Sequence, residues 1–250
     1  MNMSELLKKL ETYADSDYLP MHMPGHKRRM GDLGNPFFID ITEIDGFDDL
    51  HHAEGILKQA EERAAELYGS EETHYLVNGS TSGILAAISG CTAAGGTVLL
   101  ARNSHKSAYH AVLLRGLHVH YIYPQPAGKM GINGPVTAEN VDRLLEEHPE
   151  TKMVYITSPT YDGVVSDVEQ IAEVVHRRKL PLIVDEAHGA HFPFSEQFPK
   201  DSVSCGADVV IHSVHKTLPS LTQTALIHLN GDLINREKIR YFLGVYQSSS

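Results

Sequence analysis

From residue 54 onward the chain alternates between two hydrophobic rhythms. Ile56, Leu57, Ala60, Ala64 and Leu67 recur at helical spacing up to Gly69, and HYLVN (74–78) then reads as a strand. A helix opening at GSTSG (79–83) follows, then the strand-like TVLLAR (97–102), the helix KSAYHAVLLRG (106–116) and the strand HVHYIYP (118–124). After the Gly-rich GKMGINGP (128–135) come the helix NVDRLLEEH (140–148) and the apolar runs KMVYITSP (152–159) and PLIVDEAH (181–188). These two runs are separated by the helix DVEQIAEVVHRRK (167–179). Asp167 and Gln170 stand there at N-cap and N3 spacing. DVVIHSVHK (208–216) and TQTALIHLN (222–230) close the pattern. Strands alternating with helices of this length predict βαβ crossovers and a mainly parallel sheet covered on both faces.

Ahead of this regular part, Leu6, Leu7, Leu10 and Ala14 predict a short amphipathic packing helix behind a cap at Ser4. Residues 19–36 follow no period. They contain MHMPGHKRRM (21–30), which gathers His22, His26, Lys27, Arg28 and Arg29 and is an odd composition for a linker. No internal repeat or low-complexity tract interrupts the chain.

Composition narrows the class. The 250 residues, 42% apolar and 21% charged, suffice for a sizeable core, and 20 Gly with 12 Pro exclude collagen-like or wholly disordered chains. The formal charge of −11 is a poor match to a phosphate backbone, so nucleic acid is not expected as a partner. The 16 histidines make that charge depend on pH and are the loudest chemical hint. Cys91 and Cys205 are too few for a disulfide framework or a thiolate zinc site. The opening MNMSELLKKLETYADSD lacks the apolar stretch of a secretory signal, and no run approaches the ~18 apolar residues of a membrane span. A cytoplasmic protein without a membrane partner is expected.

In such sheets ligands bind beyond the carboxyl ends of the strands. The polar residues at 78–83, 102–106, 157–163, 185–191 and 213–216 are therefore expected to converge. NGSTSG sets Gly79, Ser80, Thr81 and Ser82 where a helix begins, so N–H groups, hydroxyls and the helix dipole would address one phosphate. An ordinary capped helix would use the same residues. There is no GxxxxGK(S/T) and no GxGxxG, so DEAH (185–188) lacks the phosphate loop that a helicase needs. What remains is Asp185 ending an apolar strand, with His188 three residues on. Lys216 closes SVHK; in a buried cleft its amine would be desolvated and nucleophilic, as a Schiff base requires, whereas an exposed lysine would simply end the strand. A phosphate cradle, a strand-end carboxylate and a lysine in that order suit pyridoxal 5′-phosphate, which needs an anion site, an acid for its ring nitrogen and an imine lysine.

On these and further blocks the sequence resembles the pyridoxal-phosphate-dependent decarboxylases of ornithine, lysine and arginine, most of all those of arginine and lysine, in the aspartate-aminotransferase-like (fold type I) group. The blocks are HMPGHK (22–27), DITEIDGFDDLH (40–51), LVNGSTSG (76–83), ARNSHKS (101–107), SPTYDG (158–163), DEAHGAH (185–191) and SVHKTL (213–218). The resemblance implies an α/β, three-layer αβα large domain. Residues 37–250 would be the cofactor-binding large domain, incomplete and without its C-terminal domain, after an N-terminal helix and HMPGHK segment at 1–36. It implies that Lys216 forms the internal aldimine and that Asp185 pairs with the pyridine nitrogen. Ser80, Thr81 and Ser82, with Ser213 and His215, would hold the phosphate. His105 would stack on the ring, Ala187 would suit its opposite face, and His188 would orient groups or transfer a proton. The implied reaction is decarboxylation of arginine, lysine or ornithine to a polyamine-type amine and CO₂, in a homodimer or higher homo-oligomer. Transamination or elimination on the same cofactor is the alternative, as is a truncated cofactor-binding module without turnover.

Two features stay open. Glu43, Asp45, Asp48 and Asp49 would either attract the distal cation of a substrate or favour the dipole of the helix after residue 54. His188, His191, His212 and His215 match no metal-ligand spacing, so no metal is expected.

Overall fold

The computed structural model describes residues 5–29, 34–128 and 131–248; the cap expected at Ser4 lies outside them. The regular part follows the sequence pattern closely: α2 (Ile56–Tyr68), β1 (Glu72–Leu76), α3 (Gly79–Cys91), β2 (Thr97–Ala101), α4 (Lys106–Arg115), β3 (His118–Ile122), α5 (Ala138–Glu147), β4 (Thr151–Thr157), α6 (Val168–His176), β5 (Leu182–Asp185), β6 (Val209–His212), α7 (Val214–Thr217), β7 (Ala225–Leu229) and α8 (Arg236–Tyr246). Gly69 ends α2 in the left-handed region with φ 68°, where a side chain would be strained. Asp167 caps α6 by accepting the Gln170 N–H at 3.1 Å, as its spacing predicts.

Among the described residues the strands form one seven-stranded sheet in the order β1-β7-β6-β5-β4-β2-β3. β2 to β6 pair in parallel, whereas β7 runs antiparallel to both β6 and β1. Alternate residues of each strand serve opposite faces. Val98, Leu100, Met153, Tyr155, Ile183, Val209 and Ile211 pack with α3, α4 and α8. Leu99, Ala101, Val154, Ile156, Leu182, Val184 and Val210 pack with α5 and α6. Each of the Val, Leu, Ile and Met side chains among them contributes on the order of 2 kcal/mol by leaving water. The result is three layers, helices on both faces of a mixed, mainly parallel sheet. Helix α3 is apolar nearly all round because it is buried between sheet and helices; a Cβ at Gly90 would stand 2.5 Å from Ile239 of α8.

Two expectations need correction. Helix α1 (Glu5–Ala14) forms, but Leu6, Leu7 and Leu10 remain exposed and none of its residues is buried, so it does not pack on the core. The strand expected over 208–216 stops at His212: Lys216 stands on the short helical turn α7 between two antiparallel strands. Among the described residues nothing before Glu61 is buried. No described helix is long and apolar enough to cross a membrane.

Candidate active site

The carboxyl ends of β1, β2, β4, β5 and β6 open on one cavity of about 680 Å³. Ser80, Thr81, His105, Asp185, Ala187, His188, Ser213, His215 and Lys216 all line it. The fold brings these residues together because parallel strands present their carboxyl ends on the same edge of the sheet.

Helix α3 points its amino terminus at this cavity. Asn78 makes no capping hydrogen bond, so the first-turn N–H groups of Ser80 and Thr81 have no side-chain acceptor from that residue. The Ser213 hydroxyl donates to the Ser80 hydroxyl at 2.8 Å, which joins the ends of β1 and β6 in one hydroxyl cluster. Ser82 behaves differently: it is buried within α3 and outside the cavity lining, and its hydroxyl donates to the Gly79 carbonyl at 2.9 Å and the Gln247 amide oxygen at 3.3 Å.

Asp185 ends β5, is 2% exposed, and accepts the Ala187 N–H at 3.1 Å on Oδ1 and the Tyr155 hydroxyl at 3.2 Å on Oδ2. Burial raises its pKa; the Lys216 charge and these hydrogen bonds oppose that rise. Burial lowers the pKa of Lys216, with Asp185 pulling the other way. The Lys216 amine lies 3.0 Å from His188 Nε2. Burial, then the Lys216 charge, push His188 down to about 4, so at neutral pH its ring is uncharged and accepts from the ammonium. His105 caps α4: its Nδ1 accepts the Ser107 N–H at 3.3 Å, which leaves the proton of the neutral ring on Nε2. Burial lowers its pKa as well. His215 donates from Nδ1 to the Thr224 carbonyl at 3.0 Å, so its Nε2 can donate to an anion only from the protonated ring.

The sequence reading missed several neighbours. Asn103 Oδ1 and Thr157 Oγ1 are buried, line the cavity and have no hydrogen-bond partner among the described residues. Such orphaned atoms mark a site shaped for a polar ligand. Tyr155 lies inside an apolar strand and reads as core; its one signal is that a buried tyrosine hydroxyl needs an acceptor. Behind the cavity Glu186 accepts from Ser202 N–H at 3.1 Å and Ser202 Oγ at 2.7 Å, and its Oε2 stands 2.7 Å from His212 Nε2. His212 Nδ1 reaches His228 Nε2 at 3.0 Å, and His228 Nδ1 reaches Thr73 Oγ1 at 2.8 Å. Burial, with the neighbouring His212, pushes the His228 pKa well down. Asp48, in contrast, accepts the Glu54 and Gly55 N–H groups at 3.0 and 2.8 Å ahead of α2, which hold its pKa down to about 2 despite some desolvation. It serves the helix, and none of Glu43, Asp45, Asp48 and Asp49 lines the cavity.

Residues 4–250 match the family model of the Orn/Lys/Arg decarboxylase major domain. The chain belongs to this family. Among Orn/Lys/Arg decarboxylase relatives, an arginine decarboxylase of Bacillus subtilis is 33% identical over 96% of this chain and 51% of its own length. An uncharacterized protein of the same organism, YaaO, is 40% identical over 98% of this chain and 53% of its own length. The chain thus spans about half the length of these curated relatives. Among solved structures, the lysine decarboxylase LdcF of Francisella novicida superposes with a TM-score of 0.73 at 22% identity, covering 98% of this chain and 38% of that one. The pyridoxal-5′-phosphate dependent protein YhfS of Escherichia coli shares the fold at a TM-score of 0.59 and 11% identity, over 74% of this chain and 46% of that one. The architecture is that of the fold type I group, as the sequence resemblance implies.

Proposed function

We propose that this cavity binds pyridoxal 5′-phosphate and that the protein uses it to decarboxylate a basic amino acid, arginine, lysine or ornithine. The observation that carries the reading is the convergence of Lys216, Asp185 and the Ser80–Ser213 hydroxyl pair on one cavity in a chain of this family. The residues fit the group: Ser80, Thr81 and Ser213 offer donors for its phosphate, with His215 beside them. Asp185 would accept from the ring nitrogen, and Lys216 would hold the aldehyde carbon. His105 and Ala187 supply a flat and a small surface for the two ring faces. Asn103 and Thr157 leave polar atoms for the ring substituents. Bound pyridoxal phosphate supplies an electron-withdrawing ring that takes up the electron pair left as CO₂ departs.

The chain's own work is positioning and proton control. Asp185, whose charged form Tyr155 and the Ala187 N–H support against burial, would favour the protonated ring nitrogen. His188 aims the Lys216 amine, and the walls must hold the Cα–carboxylate bond perpendicular to the ring plane, the orientation that selects this bond for cleavage. The named arginine and lysine decarboxylases among the relatives support a basic substrate. A cytoplasmic homo-oligomer acting in polyamine formation is the corresponding cellular reading.

Cofactor capture and turnover are tested separately. Added pyridoxal phosphate should give a lysine-linked absorbance band that Lys216→Ala abolishes, and CO₂ should be released from at least one of arginine, lysine and ornithine. A band that persists in Lys216→Ala overturns the lysine assignment. Conversion of some other amino acid, with no CO₂ from these three, overturns the substrate class.

A further inference from the structure

The HMPGHK segment has no place in the chemistry above, yet it touches the site at two points. Met21, His22 and Met23 form part of the cavity wall. Two residues on, the Gly25 N–H donates to the His215 carbonyl at 2.6 Å. His215 is the residue next to Lys216. A Cβ at Gly25 would stand 2.6 Å from the Leu218 carbonyl oxygen and 3.1 Å from the Leu218 nitrogen, both backbone atoms that cannot swing aside. Gly25 is not among the glycines with positive φ, so an alanine there meets these contacts and the Thr217 carbonyl carbon at 3.1 Å, with no left-handed backbone strain.

The segment is also fastened to α1, from His22 and from Arg28 just beyond it. Tyr13 OH pairs with His22 Nε2. Arg28 donates to the Tyr13 carbonyl at 2.9 Å and the Ser16 carbonyl at 3.3 Å, with its guanidinium over the Tyr13 ring at 4.3 Å. No residue of 5–29 is buried, so this stretch carries little of the core's stability.

We propose that Met21–Gly25 is a positioning strap: by seating Gly25 directly on the turn that carries Lys216, it fixes both the cavity wall and the stance of the lysine. The inference rests on the cofactor reading. Adding a methyl group at Gly25 must separate strap and turn, and a displacement on the order of 1 Å is enough to cost up to a hundredfold at a reacting centre. It also admits water to Lys216, whose depressed pKa then returns toward the ordinary value.

The test uses the intact chain with Gly25→Ala and, as a variant that adds no atom at the contact, Arg28→Ala. Gly25→Ala should weaken pyridoxal phosphate binding by about tenfold or more and move the pH midpoint of cofactor capture upward. The melting temperature of the cofactor-free protein should stay within about 2 °C. Arg28→Ala should show a smaller loss of the same kind. Unchanged affinity and midpoint in Gly25→Ala overturn the strap, as does a loss matched by a lower melting temperature in both variants. If the unsubstituted chain binds no cofactor, the functional reading falls instead. The strap is then judged by amide exchange: faster exchange at Gly25 and Leu218 in Gly25→Ala supports it, and unchanged exchange overturns it.

Discussion

A carboxylate with 2% of its surface exposed loses the solvation that favours its charged form, so burial raises the Asp185 pKa, and besides His105 three neighbours oppose that rise. Two of them, the Lys216 amine and the Ala187 N–H, come from segments whose motifs draw attention in the sequence. The third does not. Tyr155 sits among Met153, Val154 and Ile156, where every position is apolar, and nothing short of the fold shows that its hydroxyl ends on Asp185. Tyr155→Phe removes one hydrogen bond to a charged acceptor, worth about 1.5–3 kcal/mol. The Asp185 pKa should rise further, so the acid limb of cofactor binding should move to higher pH, while the phenyl ring keeps the core filled. A titration of cofactor affinity against pH reads this directly; an unmoved acid limb would show that Tyr155 is only packing.

At the level of elements, α2, β1 and α8 are joined by an ionic cluster outside the cavity. His74 on β1 lies 3.0 Å from Glu61 of α2 and 2.6 Å from Glu72, and Arg240 of α8 reaches Glu72 at 2.6 Å. Burial alone would discharge His74, but the two carboxylates outweigh it and hold its pKa up at about 9. Glu72 is likewise penalised by burial, yet His74 and Arg240 hold it down at about 2. Because the folded pKa of His74 exceeds its unfolded value, its contribution is complete below about pH 6.5 and is lost as pH rises through about 9. The Glu72 contribution is complete above about pH 4.5 and fails toward pH 2. Thermal unfolding between pH 6.5 and 9 should therefore lose roughly 2–3 kcal/mol in the parent chain, and His74→Gln should be less stable but nearly flat over that range. Equal slopes in the two proteins would remove His74 from the account. This cluster is invisible along the chain because Glu61, His74 and Arg240 meet only through packing. The direction of β7 is hidden for a related reason: ALIHL alternates identically whichever way it runs, and only its partners decide.

For the molecule as a whole, the order of strands places every carboxyl end that matters on one edge, so the alternation of strand and helix in the sequence already locates the site. What alternation does not supply is depth. Ser82, adjacent to Thr81 in the same motif, turns into α3 because one residue of helix rotates its side chain by 100°. Binding at this edge should stabilise the whole cooperative unit. At a pyridoxal phosphate concentration of about one hundred times Kd, linkage gives about 2.7 kcal/mol, or roughly 5–10 °C in Tm for a domain of this size. A thermal scan over cofactor concentration checks it, with Lys216→Ala expected to show a much smaller rise; identical shifts in both would place the stabilising contact elsewhere.

The reversed strand β7 has a consequence for how the amine is presented. The segment from Ser213 to Thr224 leaves β6 and returns as its neighbour, so both ends of the lysine's turn are rooted in adjacent strands of one rigid sheet. A loop tethered at both ends across a single strand spacing has few conformations to lose. The entropy of aiming Lys216 is surrendered once, when the sheet forms, and not again at each encounter with a ligand.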